Sequence, residues 1–457
     1  MRVVDPASAS TLAEVAEADA RAVADGFERA RRAQPAWAAT PLAVRCEAIR
    51  RFRALIVERT EELARTLTRE VGKPITQSRS ELAGLLGRID FFLDEVEQSA
   101  RDQVVLTSPA DRLEERIRWE PLGVVANISA WNYPWYVGGN VFLPALLTGN
   151  AVLYKPSEYA TLTGLAIASL LHESGIPPDV FQALVGGGTV GAELLARPVD
   201  MVCFTGSHAT GVRVAAAVAS RLVKVQLELG GKDPVYVCDD VDVASVAASV
   251  ADGAFYNTGQ SCCAVERVYV HGDVWRPFLD AFLDVVRGYA VGDPLDERTY
   301  IGPLARREAA LALLADQVAD ATAHGARVLL GGQRVPRPGF FFAPTVLVDV
   351  DQTMRAMREE SFGPLIGLAP VGSDDDALAL MGDTEYGLTA SVYTPDRDRA
   401  ERLLARLNVG TAYWNCCDRV SPRLPWTGRG ASGLGLTLGH EGVRTFLRPK
   451  SFHLRGI

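Results

Sequence analysis

Short apolar runs alternating with helical segments restrict this chain's fold more than any other feature. Residues 123–129, 151–154, 180–185, 201–204 and 223–227 read as strands buried on both faces, with 3.6-residue periodicity between them. That order implies an α/β fold, a parallel, doubly wound sheet with helices on both sides. After Pro234 a second series begins, with strand-like text at 235–238, 267–270, 327–330, 345–349, 364–370 and 390–393, and it implies a second α/β domain. The 457 residues leave room for both. Residues 1–98 carry Ala, Leu, Arg and Glu at helical spacing and read as a packing layer, while 111–120 alternate charged and apolar residues like an exposed, two-faced strand.

Charge and composition remove whole classes of function. Asp and Glu number 56 against 47 Lys and Arg, a formal net charge of -9, and no basic run could track a phosphate backbone, so no nucleic-acid partner is expected. From Pro121 to Tyr154 there is no charged residue, a stretch long enough to span a bilayer. Its prolines, glycines and asparagines would strand polar groups in lipid, so strand, loop, helix and strand inside a protein are expected instead of a membrane segment. The first twenty residues hold Asp5, Glu14, Glu17 and Asp19 and lack the pattern of a signal peptide. Seven cysteines, an odd number without C-x-x-C pairs, point to reduced thiols and a cytoplasmic protein without a metal site.

Strand ends are where such sheets bind ligands, and several chemistry-bearing residues fall there. A G-x-G-x-x-G stands at 186–191, where glycines serve either a dinucleotide or a plain turn. Phe204-Thr-Gly-Ser207 ends a strand before a helix and suits either a phosphate or an N-cap serine. Cys262, in Gly259-Gln-Ser-Cys-Cys-Ala264, is a nucleophile or a buried structural thiol. Glu228 closes a core strand, where a charge is costly unless used or paired, and Asn132 could donate an amide N–H to an oxyanion or serve a turn. Lys155 and Glu158 follow the next strand onto the same edge.

Taken in order, Trp131-Asn-Tyr-Pro134, Lys155-Pro-Ser-Glu158, Phe204-Thr-Gly-Ser207, Glu228-Leu-Gly-Gly-Lys232, Gly259-Gln-Ser-Cys262, Glu359-Glu-Ser-Phe-Gly-Pro364, Tyr386-Gly-Leu388 and Ser432-Gly433 resemble the aldehyde dehydrogenase superfamily over nearly the whole chain. The resemblance implies a Rossmann-like cofactor domain (1–106, 123–230 and 431–447), an α/β catalytic domain (231–430) and a small β unit for oligomerisation (107–122 with 448–457). Homodimers, or homotetramers built from them, would follow. The implied nucleophile is Cys262, with Glu228 as base for hydrolysis of a thioester and Asn132 as oxyanion donor. The implied cofactor site places Lys155 at the adenosine ribose, Ser207 at the pyrophosphate, and Gly187 and Gly191 near the adenine. Glu360 and Phe362 fall at the nicotinamide ribose and ring, and Trp131, Pro156 and Leu229 complete the wall. Glu158, able to bond a free ribose hydroxyl, implies NAD in preference to NADP. Acyl transfer to coenzyme A or phosphate, or a retired enzyme kept for binding, are the competing readings.

The implied aldehyde pocket takes Tyr133, Trp135, Asn140, Ser261, Cys263, Asp418 and Val420, with Trp135 and Tyr136 as aromatic walls. At Asn140, members that act on carboxylate-bearing semialdehydes can place an arginine and members that act on apolar aldehydes a tryptophan. Neither device is present, so a small, polar, uncharged aldehyde or a range of short aldehydes is expected. Succinate semialdehyde comes second, through Arg419, unless Asp418 and Arg419 pair with each other at the surface.

Overall fold

The structure, a computed structural model, describes residues 1–456. Ile457, the last residue of the range 448–457, lies outside the described residues.

Two mostly parallel sheets carry the molecule. The first has six strands in the order Gly433–Leu434, Lys224–Glu228, Met201–Thr205, Val124–Ile128, Ala151–Lys155 and Phe181–Ala183, all parallel except the first pair. Val124–Ile128 and Ala151–Lys155 are buried at every position, which is why they read as unbroken apolar text. From Val124–Ile128 the chain winds outward through two strands and then returns to lay Met201–Thr205 on its other side. That reversal opens a crevice at the carboxyl ends of the strands.

The second sheet has seven strands in the order Arg327–Leu330, Thr345–Val348, Leu365–Val371, Val265–His271, Asp233–Val237, Thr389–Tyr393 and Thr411–Trp414. Only its first pair is antiparallel. A third sheet is antiparallel, with Leu113–Pro121 between Leu447–Arg455 and Gln103–Ser108. Helices Ala20–Ala39, Leu42–Glu58, Thr60–Val71 and Ile75–Ala100 form the expected layer.

The uncharged stretch resolves into Val124–Ile128, helix Pro134–Leu147 and Ala151–Lys155. Asn127, Asn132 and Asn150 of this stretch find partners inside: Asn150, for one, accepts from Gly123 N–H (2.8 Å) and donates to the Phe446 carbonyl (3.0 Å). Among the described residues no helix is long and apolar enough to cross a membrane.

Several strands escaped the sequence reading. Arg2–Val4 and Thr11–Glu14 pair as a hairpin inside the region read as helical, because two short strands leave too few residues to show a period. Thr411–Trp414 sits at a sheet edge with mixed exposure and has no apolar run to mark it. Gln103–Ser108, which the boundary at 106/107 cuts, keeps Val104, Val105 and Leu106 exposed, so no buried face signals it.

Candidate active site

The nucleophile candidate is delivered by an unusual piece of backbone. Asn257, Thr258 and Gly259 lie in succession in the left-handed region, with φ of 53°, 60° and 69°. For a β-branched residue such as Thr258 this is strained, and it persists because neighbouring segments hold it. The Asn257 N–H donates to Gln77 Oε1 (2.8 Å), Gly302 N–H to Thr258 Oγ1 (2.9 Å), and Ala305 N–H to Gln260 Oε1 (3.0 Å). Only glycine fits at 259, since an added Cβ would stand 2.3 Å from the Gly363 carbonyl oxygen.

Cys262 follows, half-buried, and borders two clefts at once. Glu228, at the end of Lys224–Glu228, borders both as well and lies against the Cys262 thiol. Trp426 Nε1 donates to Glu228 Oε1 (3.2 Å), yet burial prevails and pushes this carboxyl up to about 7. The Cys263 thiol and then burial hold the Cys262 thiol well above its ordinary range. Asn132, buried beyond Val124–Ile128, donates one Nδ2 hydrogen to the Gln260 carbonyl (3.1 Å). An amide carries two such hydrogens, so a second remains for a substrate oxygen.

The larger cleft, about 870 Å³, lies at the carboxyl ends of the first sheet. Lys155, Glu158, Ser207 and Leu229 line it, with Lys155 Nζ 3.4 Å from Glu158 Oε2. Ser207 is the N-cap of helix His208–Val218, and Ser207 and Thr210 at the start of that helix line the cleft, a place that suits a pyrophosphate. At Gly188 and Gly191, both in the wall, an added Cβ would meet nothing within 4 Å, so these glycines leave open space where side chains would fill it. Gly187 stands one residue behind the wall, its N–H 3.4 Å from Glu17. Pro156, expected in the wall, is instead buried behind Lys155, against the gap at Gly164.

At the Cys262 end, the Trp131 and Phe362 rings meet edge to face at 5.5 Å, and Glu360 Oε1 accepts from Gly231 N–H (3.3 Å). Burial pushes Glu360 up to about 8. Glu266, which the sequence reading missed, holds this turn by accepting the N–H groups of Ser361 (2.8 Å) and Phe362 (3.0 Å) while pairing with Lys232. These residues fit a nicotinamide dinucleotide: an acid for the ribose, a helix start for the pyrophosphate, and an aromatic slot beside the thiol.

The smaller cleft, about 300 Å³, takes Tyr133, Asn140, Ser261, Cys263, Asp418 and Val420 in its wall. Trp135 is not there. It is fully buried in the core and contributes only its backbone N–H, donated to Glu81 (2.9 Å). On helix Pro134–Leu147 the cleft is met by Tyr133, Tyr136, Val137, Asn140 and Val141, and position 135 turns to the opposite side. Asp418 turns inward and accepts from Ser261 Oγ (2.8 Å) and Cys263 Sγ (3.0 Å), while Arg419 also borders the cleft but is exposed and faces Asp252. They form no surface pair. Tyr256, Glu81, Arg88 and Trp426 also line this cleft and had no motif to announce them.

The sequence profile of the Aldehyde dehydrogenase family matches residues 1–452. The chain is 35% identical to "Aminoaldehyde dehydrogenase 2, peroxisomal" of Malus domestica over 98% of this chain and 91% of the relative. It is 34% identical to "Betaine aldehyde dehydrogenase, chloroplastic" of Amaranthus hypochondriacus over the same shares. Among solved structures, the NAD-dependent aldehyde dehydrogenase from Sinorhizobium meliloti superposes with a TM-score of 0.96 at 34% identity, over 99% of this chain and 91% of that one. The chain belongs to the aldehyde dehydrogenase family. It is an NAD(P)-dependent oxidoreductase of aldehydes.

Two outcomes follow from this geometry. Cys262→Ala removes aldehyde oxidation and active-site labelling by a thiol reagent, whereas Cys263→Ala, whose thiol faces Asp418, keeps substantial turnover; steady-state NADH formation and peptide mapping check both. Because Glu228 is protonated below about 7 and only its ionised form accepts a proton, the hydrolytic rate rises with pH around that value, and Glu228→Gln loses this limb. A wild-type limb centred below pH 5 in the pH–rate profile would contradict the environment described.

Proposed function

We propose that the chain oxidises an aldehyde to the carboxylic acid through a covalent adduct on Cys262, using NAD in preference to NADP. The convergence of Cys262, Glu228 and the Asn132 amide where the two clefts meet carries this reading. The Cys262 sulfur bonds to the aldehyde carbon, the carbonyl electron pair moves onto oxygen, and the thiol proton passes to Glu228, which releases it to solvent. The oxyanion takes the remaining Asn132 Nδ2 hydrogen and the Cys262 backbone N–H. The adduct becomes a thioester when its oxyanion re-forms the carbonyl and the carbon gives up a hydride, for which a nicotinamide held by Glu360, Phe362 and Trp131 would be the acceptor. Glu228 then removes a proton from the water that attacks the thioester, and the acid leaves as the Cys262 thiol returns. The presence of this base supports hydrolysis over transfer to another thiol or to phosphate.

Glu158 supports the choice of cofactor. Its carboxylate, paired with Lys155 at the cleft wall, suits a free ribose hydroxyl and repels a 2′-phosphate. We expect kcat/KM with NAD to exceed that with NADP by about tenfold or more, roughly 1.4 kcal/mol, and Glu158→Ser to narrow the gap. Equal or better efficiency of the wild type with NADP would contradict the reading.

The three-stranded sheet supports a homodimer or homotetramer. Its edge strand Gln103–Ser108 exposes Val104, Val105 and Leu106, an apolar edge with open backbone groups that a second copy would cover. Sedimentation analysis should give a dimer or tetramer that Val105→Lys weakens, and a wild-type monomer at micromolar concentration would refute it.

A further inference from the structure

One face of helix Ile75–Ala100 roofs the aldehyde cleft. Gln77, Glu81 and Arg88 line it, spaced four and seven residues apart, with Gly84 between. Across from them the rings of Tyr133 and Tyr136 lie parallel, 5.8 Å apart and 4° from coplanar. Each ring carries a cation of this chain's own: Lys73 Nζ is 3.6 Å from the Tyr133 ring centre, and Arg88 Cζ is 3.7 Å from that of Tyr136. An aromatic surface that could receive an ammonium group is therefore already engaged.

The two cations differ in their partners. Lys73 is fully buried and paired with Glu81, whose other oxygen accepts the Trp135 N–H. Among the described residues no carboxylate pairs with Arg88; it is 5% exposed, its guanidinium meets the Tyr136 side chain, and its Nε has no hydrogen-bond partner there. The acids of the cleft are committed elsewhere, Glu81 to Lys73, Asp418 to the hydroxyl of Ser261 and the thiol of Cys263, and Glu228 to the Trp426 N–H and the Cys262 thiol. A buried guanidinium without a counter-charge is costly, and its planar fork matches a carboxylate. Its seat is built by Gly84, where an added Cβ would stand 1.9 Å from Tyr136 Oη, so the missing side chain is what lets Tyr136 lie beneath Arg88.

Resting on the reading of this cleft as the aldehyde site, we infer that Arg88 is its specificity residue and binds the carboxylate of a short aldehyde acid, a semialdehyde, while aldehydes bearing an ammonium group are disfavoured. The site thus departs from the aminoaldehyde relatives in the charge it selects. It also replaces the arginine sought near Asn140 with one from a different helix.

The test is steady-state NADH formation with succinate semialdehyde, butanal and 4-aminobutanal. Wild type should show a kcat/KM for succinate semialdehyde about 30-fold or more above the other two. In Arg88→Gln the ratio of succinate semialdehyde to butanal should fall about 100-fold, mainly through KM, with Arg88→Lys between. Gly84→Ala, which displaces Tyr136 and leaves the guanidinium in place, should lower the same ratio and gives a second route should Arg88→Gln fold poorly. A wild-type preference for butanal or 4-aminobutanal overturns the inference, as does an unchanged ratio in Arg88→Gln or Gly84→Ala. Butanal oxidation that disappears in Cys262→Ala reports on the reaction apart from Arg88; its absence alongside that of the other two aldehydes would sink the catalytic reading and this inference together.

Discussion

The left-handed turn at Asn257–Gly259 is the constraint on which the site depends. No local preference of the sequence favours three such residues in a row, and Thr258 opposes it. The turn stands because Gln77, Gly302 and Ala305, from a distant helix and loop, supply or accept its hydrogen bonds, and because Asn257 Nδ2 ties it to the carbonyls of Asn132 and Gln260. The nucleophile and the oxyanion donor are thus positioned by one network. The network exists only when the helical layer and both sheets have packed, so the site is a product of tertiary assembly.

Buried charge is handled in two ways. Where a charge is structural it is satisfied: Glu266 pairs with Lys232 and caps the turn at Ser361 and Phe362. Where a group faces substrate it is left short of partners or shifted by burial. Glu228 is held near neutrality by burial, which suits a base that must both take and release a proton near pH 7. The orphaned Nε of Arg88 and Oδ1 of Asn140 belong to the same category, polar atoms buried beside a cleft without a hydrogen-bond partner among the described residues.

The fold and the chemistry were legible to different depths. Parallel strands buried on both faces announce themselves as apolar runs, so Val124–Ile128 and Met201–Thr205 could be read directly. The catalytic candidates stood out only as an ordered set of motifs, since Glu228 or Cys262 alone is equally a core residue. The aldehyde pocket was least legible. Trp135 lies between the lining residues Tyr133 and Tyr136 in sequence, but its helical position turns it into the core, and Arg88 lies in a helix 174 residues before Cys262 with nothing local to mark it. Its meaning comes from Tyr136 beneath it and from the lack of a paired carboxylate among the described residues, both tertiary facts.

The central claim is that substrate is carried covalently on one particular thiol. Rapid acid quench of wild-type enzyme turning over a short aldehyde with NAD, followed by fragmentation mass spectrometry of the peptide containing Gly259 to Ala264, tests it most directly. The account predicts an acyl mass increment on Cys262. An increment on Cys263, or turnover with no adduct on either sulfur, would contradict it.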